Sequence, residues 1–284
     1  MMEKIVYTAF LLLLFSCKPD SATVLPVQVE GFDGKVALVA PSGVLKIKLN
    51  QPVNWRATGG AIIQGQNDTL TYTAPATAGI QQVVLKHPTN PQDSLLFNIA
   101  VTPSATLFQS LRTGNYVLIF RHEAADVGSD QPASTTPDWW KSCDAKLARQ
   151  LNPQGLTDAA STGKTLKLLE IPVGRIVSSE FCRAFTSAEK MATGLPVQQA
   201  KELTLTVYDE PNRCSNTLNL AASQLRDGKN TIFITHVALA INQPDCLLLN
   251  KLQWGDAALF SLNENKTLTY TGTIPVKDWT ELAK

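Results

Sequence analysis

The stretch "YVLIFRHEAADVGSD", residues 116–130, decides how the rest of the chain is read. Tyr116 to Phe120 form an unbroken apolar run that ends on Arg121, His122 and Glu123. A short continuous apolar run suits a strand buried on both faces, and charged residues at its end belong at a sheet edge. Two further stretches share this grammar: "RIVSS" (175–179) and "TIFITH" (231–236). Helical patterns separate them. "NPQGLTDAASTGKTLKLLEIPVG" starts with Asn152 as N-cap and Pro153 at the first helical position, which suits the lone N–H groups of a helix start. Its residues Leu156, Ala159, Ala160, Leu166 and Leu169 recur at helical spacing, and Ile171-Pro172 ends it. "EFCRAFTSAEKMA" reads as the next helix, spanning 180–193. "SATLFQSLRTG" reads as an earlier one, with Ser104 as N-cap and Gly114 past its end. Strands alternating with helices predict an α/β three-layer domain over residues 103–284.

In such sheets ligands bind at the carboxyl ends of the strands. The strand at 116–120 delivers Arg121 and His122, and the strand at 231–235 delivers His236. "RIVSS" turns through Ser179 into a helix whose first turn carries Arg183. Two guanidinium groups and two imidazoles about a helix N-terminus describe a phosphate site. Arginine binds phosphoryl oxygens with a bidentate fork, and the helix start adds N–H donors and a favourable dipole. A neutral imidazole can attack phosphorus and carry the phosphoryl group covalently. No cofactor or metal motif is read, and two arginines can supply much of the charge stabilisation that magnesium would.

These motifs resemble the histidine phosphatase superfamily, whose fold is phosphoglycerate-mutase-like. Its Arg-His-Gly motif appears as Arg121-His122-Glu123, its Ser-Ser turn and Arg-Ala helix as "SSEFCRAFTSAE", and its closing Gly-His as Thr235-His236. "CDAKLARQLNPQG" and "WGDAALFSL" also look like features of small extracytoplasmic members. The resemblance implies that His122 is the nucleophile and that Arg121 and Arg183 bind the phosphoryl group. His236 would complete the pocket, with a small phosphorylated molecule as substrate.

Glu123 departs from that pattern, since a small residue normally follows the nucleophile. Its carboxylate could turn outward or be structural, could repel the phosphate, or could serve as proton donor. No acid follows His236, which precedes Val237; Glu202, Asp209 and Glu210 are upstream candidates, each read first as a surface loop residue. A catalytically impaired surface protein that binds an anionic ligand or partner is therefore the alternative function. Trp139-Trp140 reads as a packed loop, with a substrate mouth as the other possibility. Asp144 and Asp158 read as helix-surface or capping residues.

The N-terminal part has a different grammar. Over residues 26–102, "VLKIKL", "TLTYT" and "SLLFNIAV" alternate apolar and polar residues between close turns, which predicts a small all-β sandwich. Around "VNWRATGG" and "YTAPATAG" it resembles bacterial immunoglobulin-like repeats, which implies that Trp55 packs in the sandwich core. His87 is expected on a strand or loop surface.

Residues 1–16 resemble a lipoprotein signal peptide: Lys4, an apolar segment from Ile5 to Phe15 too short to span a bilayer comfortably, and a lipobox-like Leu14-Phe15-Ser16-Cys17. The implied product is acylated at Cys17 and tethered through residues 17–25, in the bacterial cell envelope, periplasmic or surface-exposed. An ordinary secretory signal cleaved nearby is the alternative. In that compartment Cys143, Cys182, Cys214 and Cys246 can form disulfides. Three pairings are possible, and Cys143–Cys182 with Cys214–Cys246 is the one expected. None of these cysteines is close enough to another for a zinc knuckle. With 25 basic and 24 acidic residues, bulk charge implies no nucleic-acid partner. The membrane contact expected is the lipid anchor alone. Oligomeric state is not legible.

Overall fold

The computed structural model describes residues 28–30, 36–64, 68–90, 92–204, 207–237 and 244–284. The stretches expected to be a signal peptide and a tether, with Cys17 between them, lie outside the described residues.

Eight strands come first: β1 (Val29–Glu30), β2 (Val36–Val39), β3 (Val44–Leu49), β4 (Asn54–Ala57), β5 (Ala61–Gln64), β6 (Thr69–Thr73), β7 (Gly79–Lys86) and β8 (Ser94–Val101). They form two four-stranded sheets, ordered β1-β3-β6-β5 and β2-β8-β7-β4. One core joins the two sheets: Ile47, Leu49, Leu70, Tyr72, Val83, Leu85, Phe97 and Ile99 are buried within it. The alternation read from sequence is what places them there, because successive strand side chains point to opposite faces. Lys46 and Lys48 of β3 lie on its exposed side. Trp55 corrects the expectation of a core tryptophan. It is 40% exposed, because β4 is an edge strand and leaves one side of the ring uncovered. His87 caps a turn, its Nδ1 accepting from the N–H groups of Thr89 (3.2 Å) and Asn90 (3.1 Å).

The remaining elements are α1 (Ala105–Leu111), β9 (Tyr116–Arg121), α2 (Pro153–Leu168), β10 (Val173–Ser178), α3 (Cys182–Lys190), β11 (Val197–Gln199), α4 (Arg213–Ala222), β12 (Asn230–Thr235), α5 (Pro244–Asn250), β13 (Ala257–Leu262), β14 (Leu268–Ile274) and α6 (Val276–Leu282). Their sheet is ordered β11-β10-β12-β9-β13-β14. Its first four strands are parallel, and β13 and β14 are antiparallel. Alternate residues of each strand enter separate cores. Leu118 and Phe120 pack with α1, α2, α3 and α6 through Phe108, Leu166, Ala184 and Trp279. Val117 and Ile119 pack with α4 and α5 through Cys214, Ala221, Cys246 and Leu249. This is a three-layer α/β architecture. Continuous apolar strands are the signature of a sheet covered on both faces.

Two caps show how local chemistry sets the helices. Asn152 accepts from the Gly155 N–H at 2.8 Å, with Pro153 at N1, as the sequence predicted. Gly155 also lets the helix start press against the chain at Ala124, where any Cβ would overlap the carbonyl oxygen. Ser104 stands at the N-cap of α1, yet its side chain makes no capping bond. Its hydroxyl donates instead to Asp278 Oδ2 at 2.6 Å, because a charge-assisted bond to a buried carboxylate outweighs a neutral cap.

The sandwich is fastened to the α/β layers. Val36 and Ala100 join the core around Phe108 and Trp279, and Arg112 donates to the Val36 carbonyl at 2.7 Å. The disulfides join Cys143 to Cys182 and Cys214 to Cys246, the expected pairing. The first ties the loop after β9 to the start of α3. The second ties α4 to α5.

Candidate active site

The parallel register brings the ends of β9, β10 and β12 together. The His122 N–H donates to the Thr235 carbonyl at 2.8 Å, and the Ser179 N–H to that of Ile234 at 2.8 Å. His122, Ser179 and His236 therefore leave neighbouring strands at one level, and all three are buried. Their imidazoles lie 5.1 Å apart, edge to face.

The tautomer of His122 follows from its two bonds. Nδ1 lies 2.7 Å from the Glu123 carbonyl oxygen, which can only accept, so Nδ1 carries the proton. Nε2 is then the lone-pair nitrogen, and Arg183 Nε donates to it at 3.2 Å. Burial, the guanidinium of Arg183 and those of Arg121 and Arg149 hold the imidazole well below its ordinary pKa, against a smaller opposing effect of the Glu123 carbonyl. His122 thus presents a neutral nitrogen beside a guanidinium. His236 is held neutral in the same way by burial first and Arg183 second, and its Nε2 lies 2.9 Å from Ser179 Oγ.

The cations surround this pair. Arg183, buried in the first turn of α3, has a pKa pushed down to about 10, chiefly by burial, with Asp130 opposing. Its Nη1 donates to Asp130 Oδ1 at 3.0 Å, and its guanidinium carbon lies 4.1 Å over the Phe181 ring. Arg121 is half-buried at the end of β9, donating to the Leu252 carbonyl at 3.1 Å beside Trp254.

A third arginine completes the group, and sequence reading did not single it out. Arg149 Nε donates to Asp130 Oδ2 at 3.1 Å, so one carboxylate holds Arg149 and Arg183 together. The positive charge of Arg149 bears on His122, His236, Arg121 and Arg183 alike. A signal was present. Arg149 is the sole arginine between residues 122 and 174, three positions ahead of the Asn152 cap. A helix that follows a strand begins near that strand's carboxyl end, which is the ligand edge.

Helix α3 opens at Cys182, two residues later than the sequence reading placed it, so the residues ahead of it form its entry turn. The N–H groups of Glu180 and Phe181 donate to Thr204 Oγ1 (2.9 Å) and Ser179 Oγ (3.3 Å). They fasten the turn into α3 and are not open to a phosphate.

Glu123 is neither solvated nor turned to the imidazole. Its N–H donates to Ser187 Oγ at 3.1 Å and its carbonyl orients His122. Its carboxyl is buried toward Gly255 and Val276, where a Cβ on Gly255 would overlap it. Neither oxygen finds a hydrogen-bond partner among the described residues. Burial, then Asp158 and Asp256, push its pKa up to about 8, so the carboxyl is largely neutral at pH 7. A neutral carboxyl does not repel phosphate as a carboxylate would.

No protein-family model matches the sequence, and no curated protein matches it. Solved structures similar to the chain include the protein histidine phosphatase SixA complexed with tungstate, at 17% identity and TM-score 0.41, covering 57% of this chain and 98% of that one. Another is a phosphoserine phosphatase from Entamoeba histolytica in complex with 3-phosphoglyceric acid, at 12% identity and TM-score 0.40, covering 58% and 98%. A third is a mycobacterial glucosyl-3-phosphoglycerate phosphatase, at 15% identity and TM-score 0.38, covering 56% and 97%. At these values the likeness carries no mechanism, and the chemistry must come from the site itself.

Proposed function

We propose that this protein is a phosphatase that works through a phosphohistidine at His122. The observation that carries the reading is the state of that imidazole. Nδ1–H is fixed by a carbonyl, Nε2 keeps its electron pair with Arg183 donating to it, and the positive charges of Arg121 and Arg149 bear on the ring. In the first step Nε2 attacks phosphorus and the P–O bond to the leaving group breaks, with its electron pair departing on that oxygen. Arg183 passes its Nε–H from the imidazole to a phosphoryl oxygen. Arg121 and Arg149 supply further positive charge against the equatorial oxygens, as phosphoryl transfer requires. Water then attacks phosphorus, the P–N bond breaks, and Nε2 regains its pair.

The competing reading is an anion-binding protein disabled by Glu123; burial of that carboxyl toward Gly255 favours turnover over it. Incubation with labelled acetyl phosphate should trap an acid-labile, base-stable phosphoenzyme that His122→Ala lacks. Absence of both turnover and phosphoenzyme in the parent protein would refute the reading.

The substrate would be a small phosphorylated molecule. We read the N-terminal sandwich as an immunoglobulin-like spacer, and the chain as an exported lipoprotein acylated at Cys17. Support comes from the leader's sequence and from two disulfides, which persist in oxidising compartments. Cys17→Ser should move the protein from the membrane to the soluble fraction on cell fractionation; retention in the membrane would contradict the anchor.

A further inference from the structure

An unbroken ladder of aromatic rings leads from the buried His236 imidazole to the surface. Phe181 lies 4.9 Å from the His236 ring, Trp139 lies 5.8 Å from Phe181, Trp140 lies 6.2 Å from Trp139, and Tyr208 lies 5.8 Å from Trp140. Every neighbouring pair meets edge to face. The inner ring, Phe181, is fully buried, and the outermost, Tyr208, is 47% exposed. The ladder is fixed in place. Tyr208 Oη donates to Glu180 Oε2 at 2.5 Å, Trp140 Nε1 donates to the same oxygen at 3.4 Å, and Lys141 pairs with Oε1 at 3.3 Å. The Cys143–Cys182 bridge ties the tryptophan loop to the helix that carries Arg183. Beyond Tyr208 a cleft of about 440 Å³ continues past Thr204 and Arg213.

A second observation concerns protons. The carboxyl groups on the segments that carry the site are Glu123, Asp126, Asp130 and Glu180; Asp126 is exposed and accepts from Asn152 Nδ2 at 3.0 Å. Asp130 bridges two arginines, and Glu123 points to Gly255. Burial works against ionisation of Glu180, but donors from Tyr208, Trp140 and Lys141 outweigh it and hold the group below its usual range. Glu202 and Asp209 line the outer cleft, where Asn212 and Asn216 donate to Asp209. The side chain of Glu210, the third upstream candidate, lies outside the described residues. Among the described residues no side-chain carboxyl is hydrogen-bonded to either imidazole.

We infer, on the basis of the phosphatase reading above, that the substrate is an aryl phosphate: a phosphomonoester of a phenol whose ring lies along the Trp139–Trp140–Tyr208 wall. The two observations converge on that class. Rings set edge to face leave faces and edges that a further ring can meet. A phenol ionises near pH 10, several units below an alkyl alcohol, so a phenolate departs from phosphorus with its electron pair and takes a proton from water afterwards. Serine or sugar phosphates would leave as far more basic alkoxides, which call for a proton donor.

The test compares O-phosphotyrosine, O-phosphoserine and acetyl phosphate on the full chain. The first two share an amino-acid frame and differ in the ring; the third leaves without a proton and has no ring. Wild type should favour phosphotyrosine over phosphoserine by at least about 10² in kcat/KM, the usual scale of acid assistance that phosphoserine would lack. Joint Trp140→Leu and Tyr208→Leu replacement should lower the phosphotyrosine-to-acetyl-phosphate ratio of kcat/KM roughly tenfold, mainly through KM. If the double variant does not fold, inhibition of the parent protein answers instead, with phenylphosphonate binding about tenfold more tightly than methylphosphonate. Equal use of phosphoserine, or equal inhibition by the two phosphonates, overturns the aryl assignment and leaves the phosphatase reading standing. Failure on acetyl phosphate as well, with no phosphoenzyme, removes both.

Discussion

The two parts of this molecule bury different things. Between Val36 and Val101 the buried residues are aliphatic or aromatic, whereas from Thr102 onward they include His122, Glu123, Arg183, Arg213, His236 and Asp278. Removing an ionisable group from water costs free energy unless the group is paired or neutralised. Among its described residues the sandwich buries one ionisable side chain, the phenol of Tyr72, which burial holds in its neutral form, and it is held by apolar burial. The α/β layers accept that cost, and concentrate much of it where three strands end. The charges there are managed in three ways: Asp130 pairs two arginines, the imidazoles stay neutral, and Glu123 keeps its proton. A region that holds such groups in place is built for binding charge; a region without them is built for standing firm.

The largest effect should come from Arg183, which is both buried and bonded to the attacking nitrogen. Arg183→Ala should reduce kcat/KM by roughly 10²–10³, the usual cost of losing one aimed donor to a developing charge. Steady-state kinetics with acetyl phosphate would measure it. A loss of less than threefold would mean that the guanidinium orients His122 without touching the phosphoryl group.

The sandwich should respond in the opposite sense. Ile99 is fully buried in β8 with Phe97 and Leu85 nearby in the same core. Ile99→Ala should cost about 2–5 kcal/mol of stability, through lost transfer energy and the cavity left behind. Turnover per folded molecule should stay the same, since sites this separate act additively. Denaturant melts paired with activity on the soluble fraction would show both. A fall in kcat would break the separation and implicate the packing of Val36 and Ala100 against the α/β core.

Sequence alone went far for the site and less far for its surroundings. Arg121, His122 and His236 were legible because an apolar strand announces where it ends, and parallel strands that end together must share a ligand edge. Arg183 was legible because the turn after "RIVSS" opens a helix. Arg149 was not singled out, since a lone arginine in a loop has no periodicity to betray it; only the crossover topology returns it to the edge. Trp55 was misplaced because the resemblance to immunoglobulin-like repeats supplied its core position, and a resemblance does not say that this chain sets β4 at a sheet edge. The wall formed by Trp139, Trp140 and Tyr208 depends on a disulfide and on contacts between distant loops, which spacing does not encode. For Glu123 the sequence left three roles open, because the direction of its side chain is set by the loop at Gly255, more than a hundred residues away.

That residue offers the subtlest test of the contrast. With its pKa pushed up to about 8, Glu123 is neutral in both folded and unfolded chains below about pH 4.5 and costs nothing there. As pH rises from about 4.5 to about 8 the unfolded chain ionises it and the folded chain does not, so stability falls. Above about 8 both ionise and the slope ends. The two imidazoles act in the other sense: held below their ordinary pKa, they lose stability as pH falls below about 6.5. The window from about 6.5 to about 8 therefore isolates the carboxyl. Linkage limits its effect to ~1.4 kcal/mol per pH unit, hence about 2 kcal/mol across that window. Glu123→Gln should abolish the decline, as read by urea midpoints at pH 6.5 and 8, because an amide has no proton to lose. An unchanged slope would place the titrating group elsewhere. A large gain in turnover would mean that the carboxyl reaches the phosphate pocket after all, and that the chain holds an inhibitory charge beside its nucleophile.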